Sequence, residues 1–279
     1  MTLILFGGGV RIILNKLLDQ DYANISKRIE RFILKYTADN SAKGVVIGLS
    51  GGLDSSVVLQ LCINALGSKK VLGLIMPSDT TPKEDIKHAI DLVKALELER
   101  YHMINILPIL QKYTKILQAT EENKRARGNL MARIRMNLLY YYAGINSYIV
   151  AGTSDKSELK IGYFTKFGDG AADILPIADL YKTQVRALAK KHLQIPAEII
   201  EKKSSPRLWD EHLAEKEIGM DYETIDPILY CLLERKMSPA AIAKKLEYSI
   251  DDIYKVKKMV DSSLHKREMP KIAYIMRQK

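Results

Sequence analysis

The stretch that most constrains this chain is an abrupt change of character at residues 43–66. Lys43–Leu49, KGVVIGL, is a short apolar run rich in β-branched residues and reads as a buried strand. Ser50-Gly51-Gly52-Leu53-Asp54-Ser55-Ser56 follows. VVLQLCINAL, 57–66, then reads as a helix that Gly67 stops. A strand that enters a helix through glycines and serines aims backbone N–H groups and the positive helix end at one point, which makes a cradle for phosphate. Ser50 and Ser55 can donate further hydrogen bonds. Asp54 is negative and would repel phosphate on its own; it fits the turn if a Mg²⁺ stands between them. The string is neither GxxxxGK[ST] nor GxGxxG, which weakens the kinase-type and dinucleotide-loop readings. The bland alternative is a tight strand-to-helix turn that needs small residues.

Val71–Met76, Tyr101–Ile106 and Ser147–Ala151 read as further strands. Helical spacing covers about 24–36, Pro82 to about Leu98, about 107–118 and 121–143, and Asp179–Lys191. Shorter helices follow at about 222–235, 238–246 and 250–262, the second capped by Ser238. Apolar strands alternating with amphipathic helices predict an α/β fold, a doubly wound and mostly parallel sheet covered on both faces. Ligands in such sheets sit at the carboxyl ends of the strands, where the Ser-Gly-Gly turn and an acidic string after the last strand both fall. One domain is expected, with an N-terminal extension at 1–19, an α/β core at 20–200, a mobile polar loop at 201–216 and a helical part at 217–279.

Composition bounds the partners. Of 279 residues, Lys and Arg make 43 and Asp and Glu 33, a net charge of +10 that suits polyanionic ligands. The 47 % apolar and 27 % charged content excludes wholesale disorder. No apolar run is long enough for a membrane span. The opening MTLILFGGGV has its charge, Arg11, after it rather than before, unlike a signal peptide; it reads as a short strand or a frayed extension. Two distant cysteines, Cys62 and Cys231, in apolar surroundings argue against a disulfide framework and for a reducing cytoplasm. No block of five like charges marks a nucleic-acid tail.

SGGLDSS resembles the pyrophosphate-binding loop of the ATP pyrophosphatase group, whose members adenylate a substrate. Gly128-Asn129-Leu130-Met131-Ala132-Arg133-Ile134-Arg135-Met136 resembles a second motif of the NAD synthetase family, and Gly152-Thr153-Ser154-Asp155-Lys156-Ser157-Glu158 a third. Gly162–Gly170, Ala172–Pro176, Leu180-Tyr181-Lys182-Thr183 and His265-Lys266-Arg267 continue the resemblance in family order over about 20–275. It implies a five-stranded, Rossmann-like sheet of the adenine nucleotide alpha-hydrolase type. It also implies ATP- and Mg²⁺-dependent amidation of deamido-NAD to NAD through an adenylated intermediate, and a homodimer.

By the same resemblance Gly48, Leu49, Ser50, Gly51, Gly52, Leu53, Asp54, Ser55, Thr153, Lys182 and Ser205 bind ATP, and Asp54 and Glu158 hold Mg²⁺. Arg133, Lys166, Asp173, His265 and Lys266 bind deamido-NAD. Asp54, Lys182 and Asp173 carry the chemistry. Read by itself, Glu158 is equally a helix-start charge, Lys182 a solvated helix lysine, and Tyr140–Tyr142 core or subunit packing. Arg133 and Arg135, two apart, cannot share a helix face; Arg135 is expected to be structural or paired with an acid. Ser204-Ser205-Pro206-Arg207 departs from the family's usual Pro, then Ser or Thr, then Ala. Too little chain precedes the first strand for a glutamine amidase domain, so free ammonia is expected as the nitrogen donor. The rival readings are a tRNA-modifying ATP pyrophosphatase and a non-enzymatic adenine-nucleotide sensor.

Overall fold

The computed structural model describes residues 8–118, 123–209 and 212–275. In chain order the elements are α1 (Gly8–Leu18), α2 (Tyr22–Asp39), β1 (Val45–Gly48), α3 (Leu53–Leu66), β2 (Val71–Ile75), α4 (Lys83–Ala95), β3 (Tyr101–Met103), α5 (Leu107–Ile116), α6 (Lys124–Asn146), β4 (Ile149–Ala151), α7 (Lys156–Ile161), α8 (Lys182–Lys191), α9 (Ala197–Ile200), α10 (Ala214–Ile218), α11 (Tyr222–Leu229), α12 (Pro239–Leu246), α13 (Ile250–Ser262) and α14 (Leu264–Arg267). Most of the opening apolar string lies outside the described residues, as do 121–122 at the start of the expected helix and 210–211 in the polar loop. Gly8–Val10 are helical rather than extended.

The strands lie in the order β3-β2-β1-β4, all parallel. Successive residues face opposite layers, as the pleat requires. Val45, Ile47, Val71 and Ile75 pack with Val57, Leu61, Leu92 and Leu188 from α3, α4 and α8. Val46, Leu72, Leu74 and Val150 pack with Leu110, Met131 and Ile134 from α5 and α6. The sheet is therefore doubly wound. The chain leaves β1 toward β2 on one side, and β4 enters on the other, so the switch point falls at the carboxyl end of β1, where the Ser-Gly-Gly turn stands.

The expected fifth strand is reduced to one parallel bridge, Ala151 to Ile174. The reason is local. The Val150 carbonyl accepts from both Asp173 and Ile174 N–H groups (3.0 and 3.2 Å), while the Val150 N–H donates to the Asp173 carboxylate (2.7 Å). A side chain thus takes a main-chain ladder position, and Pro176 has no N–H with which to resume pairing. Ser147, expected to begin β4, instead ends α6 in the left-handed region at φ 57°.

A third apolar cluster joins α1 to the C-terminal helices through Val10, Leu14, Leu17, Ile225, Leu246, Ile253 and Val256. Side-chain caps from Asp221, Ser238 and Ser249 open α11, α12 and α13. A Cβ at Gly9 would overlap the Lys245 carbonyl, so α1 docks on α12 only because that position lacks a side chain. Gly9→Ala is expected to lower unfolding free energy by about 1–3 kcal/mol, measured by urea titration. An unchanged midpoint and slope would mean that α1 does not dock there.

Candidate active site

The turn after β1 is held by its own serines. Ser50 and Ser55 hydroxyls share a hydrogen bond (3.0 Å), Gly52 N–H donates to Ser50 Oγ (3.2 Å), and Ser56 Oγ donates to the Gly52 carbonyl (2.8 Å). Gly51 adopts φ +72°, and a Cβ there would overlap the Asp85 carbonyl. Gly52 caps α3 without a side chain, so no cap takes the first-turn N–H groups. The serines order the turn, and its backbone is what faces outward.

Asp54, in the first turn of α3, meets the start of α7. There Asp155 is the N-cap, accepting from Glu158 N–H (2.8 Å), and Glu158 reaches back to Asp155 N–H, a reciprocal capping box. Glu158 is thus both a helix-start charge and a member of an acidic group. The carboxylates of Asp54, Asp155 and Glu158 have oxygens within 4.8 Å of one another. Lys182, the first residue of α8, inserts a fully buried ammonium beneath them, at 2.6 Å from Asp54, 2.8 Å from Asp155 and 2.8 Å from Glu158. Lys182 is therefore not a solvated helix lysine.

Burial pulls the Lys182 ammonium down, but Asp155, Asp54 and Glu158 outweigh it and hold it well above its ordinary value. Burial raises Asp155 and Glu158, against Lys182, and their acidic neighbours raise both further. Three carboxylates on one ammonium leave a surplus of negative charge, and Asp54 Oδ1 is buried with no hydrogen-bond partner among the described residues. An orphaned oxygen in an over-acidic, all-oxygen group fits a divalent cation such as Mg²⁺. Behind the group, Ser157 Oγ donates to Asp226 (2.5 Å) and accepts from Lys182 N–H (2.9 Å), and Thr183 N–H donates to Asp226 (2.9 Å). Burial pushes the Asp226 carboxyl up to about 7.

A cavity of about 620 Å³ opens above the strand ends. Of the expected ATP and metal residues, Gly48, Leu49, Ser50, Gly52, Leu53, Asp54, Thr153, Glu158 and Ser205 line it, whereas Gly51, Ser55 and Lys182 stand behind that wall. The expected dinucleotide residues fall into two groups. Arg133 donates to the Lys166 carbonyl (3.2 Å), Lys166 to the His265 carbonyl (2.6 Å), and Lys266, which lines the cavity, to the Gly162 and Phe164 carbonyls (2.7 and 2.8 Å). Asp173 lies apart, at the sheet edge, accepting from the Tyr140 hydroxyl (3.4 Å).

Arg135 lines the cavity, and its Nε donates to the Met76 carbonyl (3.1 Å). Burial lowers it to about 10, against the pull of Asp169 and Asp79, but it makes no ion pair among the described residues. Sequence reasoning passed over Asp155, although the S/T/D-x-x-E spacing of a capping box marks it. It also passed over His212, which stacks on Trp209 (ring centroids 3.4 Å apart) and meets Glu217 at 2.7 Å. Nothing in the local string announces that contact.

Residues 25–270 match the family described as NAD synthase. The chain belongs to that family. It is 50 % identical over 262 residues to the NH(3)-dependent NAD(+) synthetase of Hyperthermus butylicus, covering 94 % of each protein. It is 44 % identical over 258 residues to that of Sulfurisphaera tokodaii, covering 92 % of this chain and 91 % of the relative. Among solved structures, the NMN synthetase of Francisella tularensis superposes with a TM-score of 0.80 at 33 % identity, over 92 % of this chain and 100 % of the other. The NH3-dependent NAD synthetase of Campylobacter jejuni gives 0.72 at 33 % identity, over 91 % and 100 %.

Membership of this family gives the Lys182 cluster a specific test. Lys182→Met leaves the carboxylates facing one another and is expected to cost about 3–5 kcal/mol of stability at neutral pH. Asp155 and Glu158 have raised values, so they take up protons early as pH falls, and their repulsion then vanishes. The variant's deficit against the parent should shrink as pH is lowered from neutral toward the ordinary carboxylate range in urea titrations. A pH-independent deficit would contradict this charge assignment.

Proposed function

We propose that this chain amidates deamido-NAD to NAD with ammonia, driven by cleavage of ATP to AMP and pyrophosphate. The observation that carries the reading is the turn at Gly48–Ser55 and the Asp54–Asp155–Glu158–Lys182 group, which meet at one end of a cavity large enough for nucleotides. Relatives sharing up to half of its residues over nearly the whole chain are named for that activity.

In the first step the nicotinate carboxylate oxygen attacks the α-phosphorus of ATP, and the bond to pyrophosphate breaks. In the second, ammonia attacks the acyl carbon, a proton leaves, and AMP departs. Adenylation gives a poor acylating agent a good leaving group. The chain's part is to bind, orient and exclude water. Unpaired N–H groups at the start of α3 hold the departing pyrophosphate. Asp54 and Glu158 would hold Mg²⁺, which would neutralise phosphate charge; Lys182 fixes both carboxylates from beneath. Thr153 and Ser205, both on the cavity lining, contact the nucleotide. Arg133, Lys166, His265 and Lys266 bind the dinucleotide with Asp173.

Asp173 and Tyr140 border an exposed apolar surface with Tyr141 and Ile145, which supports a homodimer with the dinucleotide site beside the subunit contact. The thiolating tRNA reading is disfavoured: both cysteines are buried, and burial pushes the Cys62 thiol up to about 12. No helix among the described residues is long and apolar enough to cross a membrane, and a reducing cytoplasm suits the free thiols. The Francisella neighbour supports one second reading, amidation of nicotinate mononucleotide by the same chemistry.

With ATP, Mg²⁺ and ammonium, deamido-NAD should give NAD, AMP and pyrophosphate in equal amounts, and faster than nicotinate mononucleotide is amidated. Release of ADP and phosphate would overturn adenylation, and preference for the mononucleotide would favour the second reading. Replacing ammonium by glutamine should abolish product. Asp54→Asn should reduce turnover by on the order of a hundredfold or more, and near-normal rates would remove Asp54 from the site.

A further inference from the structure

Residues 201–209 carry a second group of charges that the reaction scheme leaves unused. Asp85, in the first turn of α4, is buried, with 4 % of its surface exposed. It is met by two cations from the far side of the sequence, Lys202 Nζ at 2.5 Å from one oxygen and Arg207 Nε at 2.9 Å from the other. One carboxylate between two cations leaves a net positive charge. Both cations line the same cavity as the turn after β1.

Two further contacts fix this group against that turn, and a third holds Arg207 in place. Lys202 Nζ also donates to the Gly51 carbonyl at 3.3 Å, within the Ser-Gly-Gly string itself, and meets His88 Nδ1 at 3.1 Å, so Lys202 brings charge to the cavity while Arg207 brings free donors. Gly51 is pressed so closely on the Asp85 backbone that it tolerates no Cβ. Arg207 sits in the left-handed region at φ 51°, a conformation that costs a non-glycine residue energy, and the Thr80 hydroxyl holds its carbonyl at 2.6 Å. Asp85 engages only the guanidinium Nε. The terminal nitrogens have no hydrogen-bond partner among the described residues. A guanidinium with free terminal donors in a cavity wall is suited to bidentate contact with phosphate oxygens.

We propose that Lys202 and Arg207 form a second clamp on the triphosphate of ATP, held over the turn by Asp85. The inference rests on the ATP reading above and adds two ligands to it. The turn supplies neutral backbone donors, the carboxylate group supplies a place for a divalent cation, and neither supplies positive charge of its own to the cavity, because Lys182 is consumed by its three carboxylates. Lys202 and Arg207 supply it. They act on the β- and γ-phosphates, which leave as pyrophosphate, and not on the nucleoside.

Calorimetric titration of the full chain in Mg²⁺, with the uncleavable α,β-methylene analogue of ATP and separately with AMP, tests this. Lys202→Gln and Arg207→Gln should each weaken the analogue on the order of tenfold and leave AMP within about twofold, while Arg207→Lys recovers part of the loss. Equal losses for both nucleotides would make the pair a support for the loop, and unchanged affinity for both would remove it from the site; either overturns the clamp. If the parent protein binds neither nucleotide, the ATP reading fails and the clamp with it.

Discussion

One buried ammonium holds the site together. Lys182 has no exposed surface and touches three carboxylates delivered by two turns of the fold: Asp54 after β1, and Asp155 and Glu158 after β4. Without the charge those carboxylates would repel one another in a setting that already disfavours ionisation. Its placement in turn depends on the C-terminal helices. Asp226 of α11 accepts from Ser157 and Thr183, and Ser157 accepts the Lys182 N–H, so α7, α8 and α11 meet in one hydrogen-bonded network. The helical layer beyond the sheet is therefore part of the site's support.

The sheet explains why these groups converge. Both acidic strings follow strands whose carboxyl ends flank the switch point, and a parallel sheet puts all such ends on one side. The turn then needs backbone exposed at close quarters, which Gly51 permits through its positive φ and its contact with Asp85. Asp173 serves the same region differently. By taking the Val150 N–H it closes the sheet edge with a side chain and fixes its own carboxylate beside Tyr140. An edge blocked in this way presents no free ladder at that position.

Much of this was readable from the chain alone where the signal is local. Val45–Gly48 and Val71–Ile75 stand out as β-branched apolar runs, the glycine turn and its helix follow directly, and Ser238 marks a helix start. What escaped was long-range pairing. Lys182 lies 128 residues from Asp54, and no local periodicity says that its ammonium is buried under carboxylates rather than in water. Asp85 and Arg207 are separated by 122 residues in the same way. The fifth strand came only from the resemblance and not from the residues, and in the structure one side chain takes its ladder position in place of the backbone. Arg135, expected to be structural or paired with an acid, takes the structural role, donating to the Met76 carbonyl at 3.1 Å.

The distribution of charge around the cavity follows from these pairings rather than from the overall surplus of +10. Its floor near α7 is acidic, since three carboxylates share one cation. A second group on the lining is basic, since Asp85 is shared by Lys202 and Arg207. A uniformly basic pocket would bind polyphosphate in any orientation, and a uniformly acidic one would bind only metal. Two groups of opposite sign on one lining suit a metal–polyphosphate complex, the acidic group toward the cation and the basic group toward the phosphates. On the adenylation reading both groups act on the leaving pyrophosphate, and charge placed there favours cleavage at the α-phosphorus.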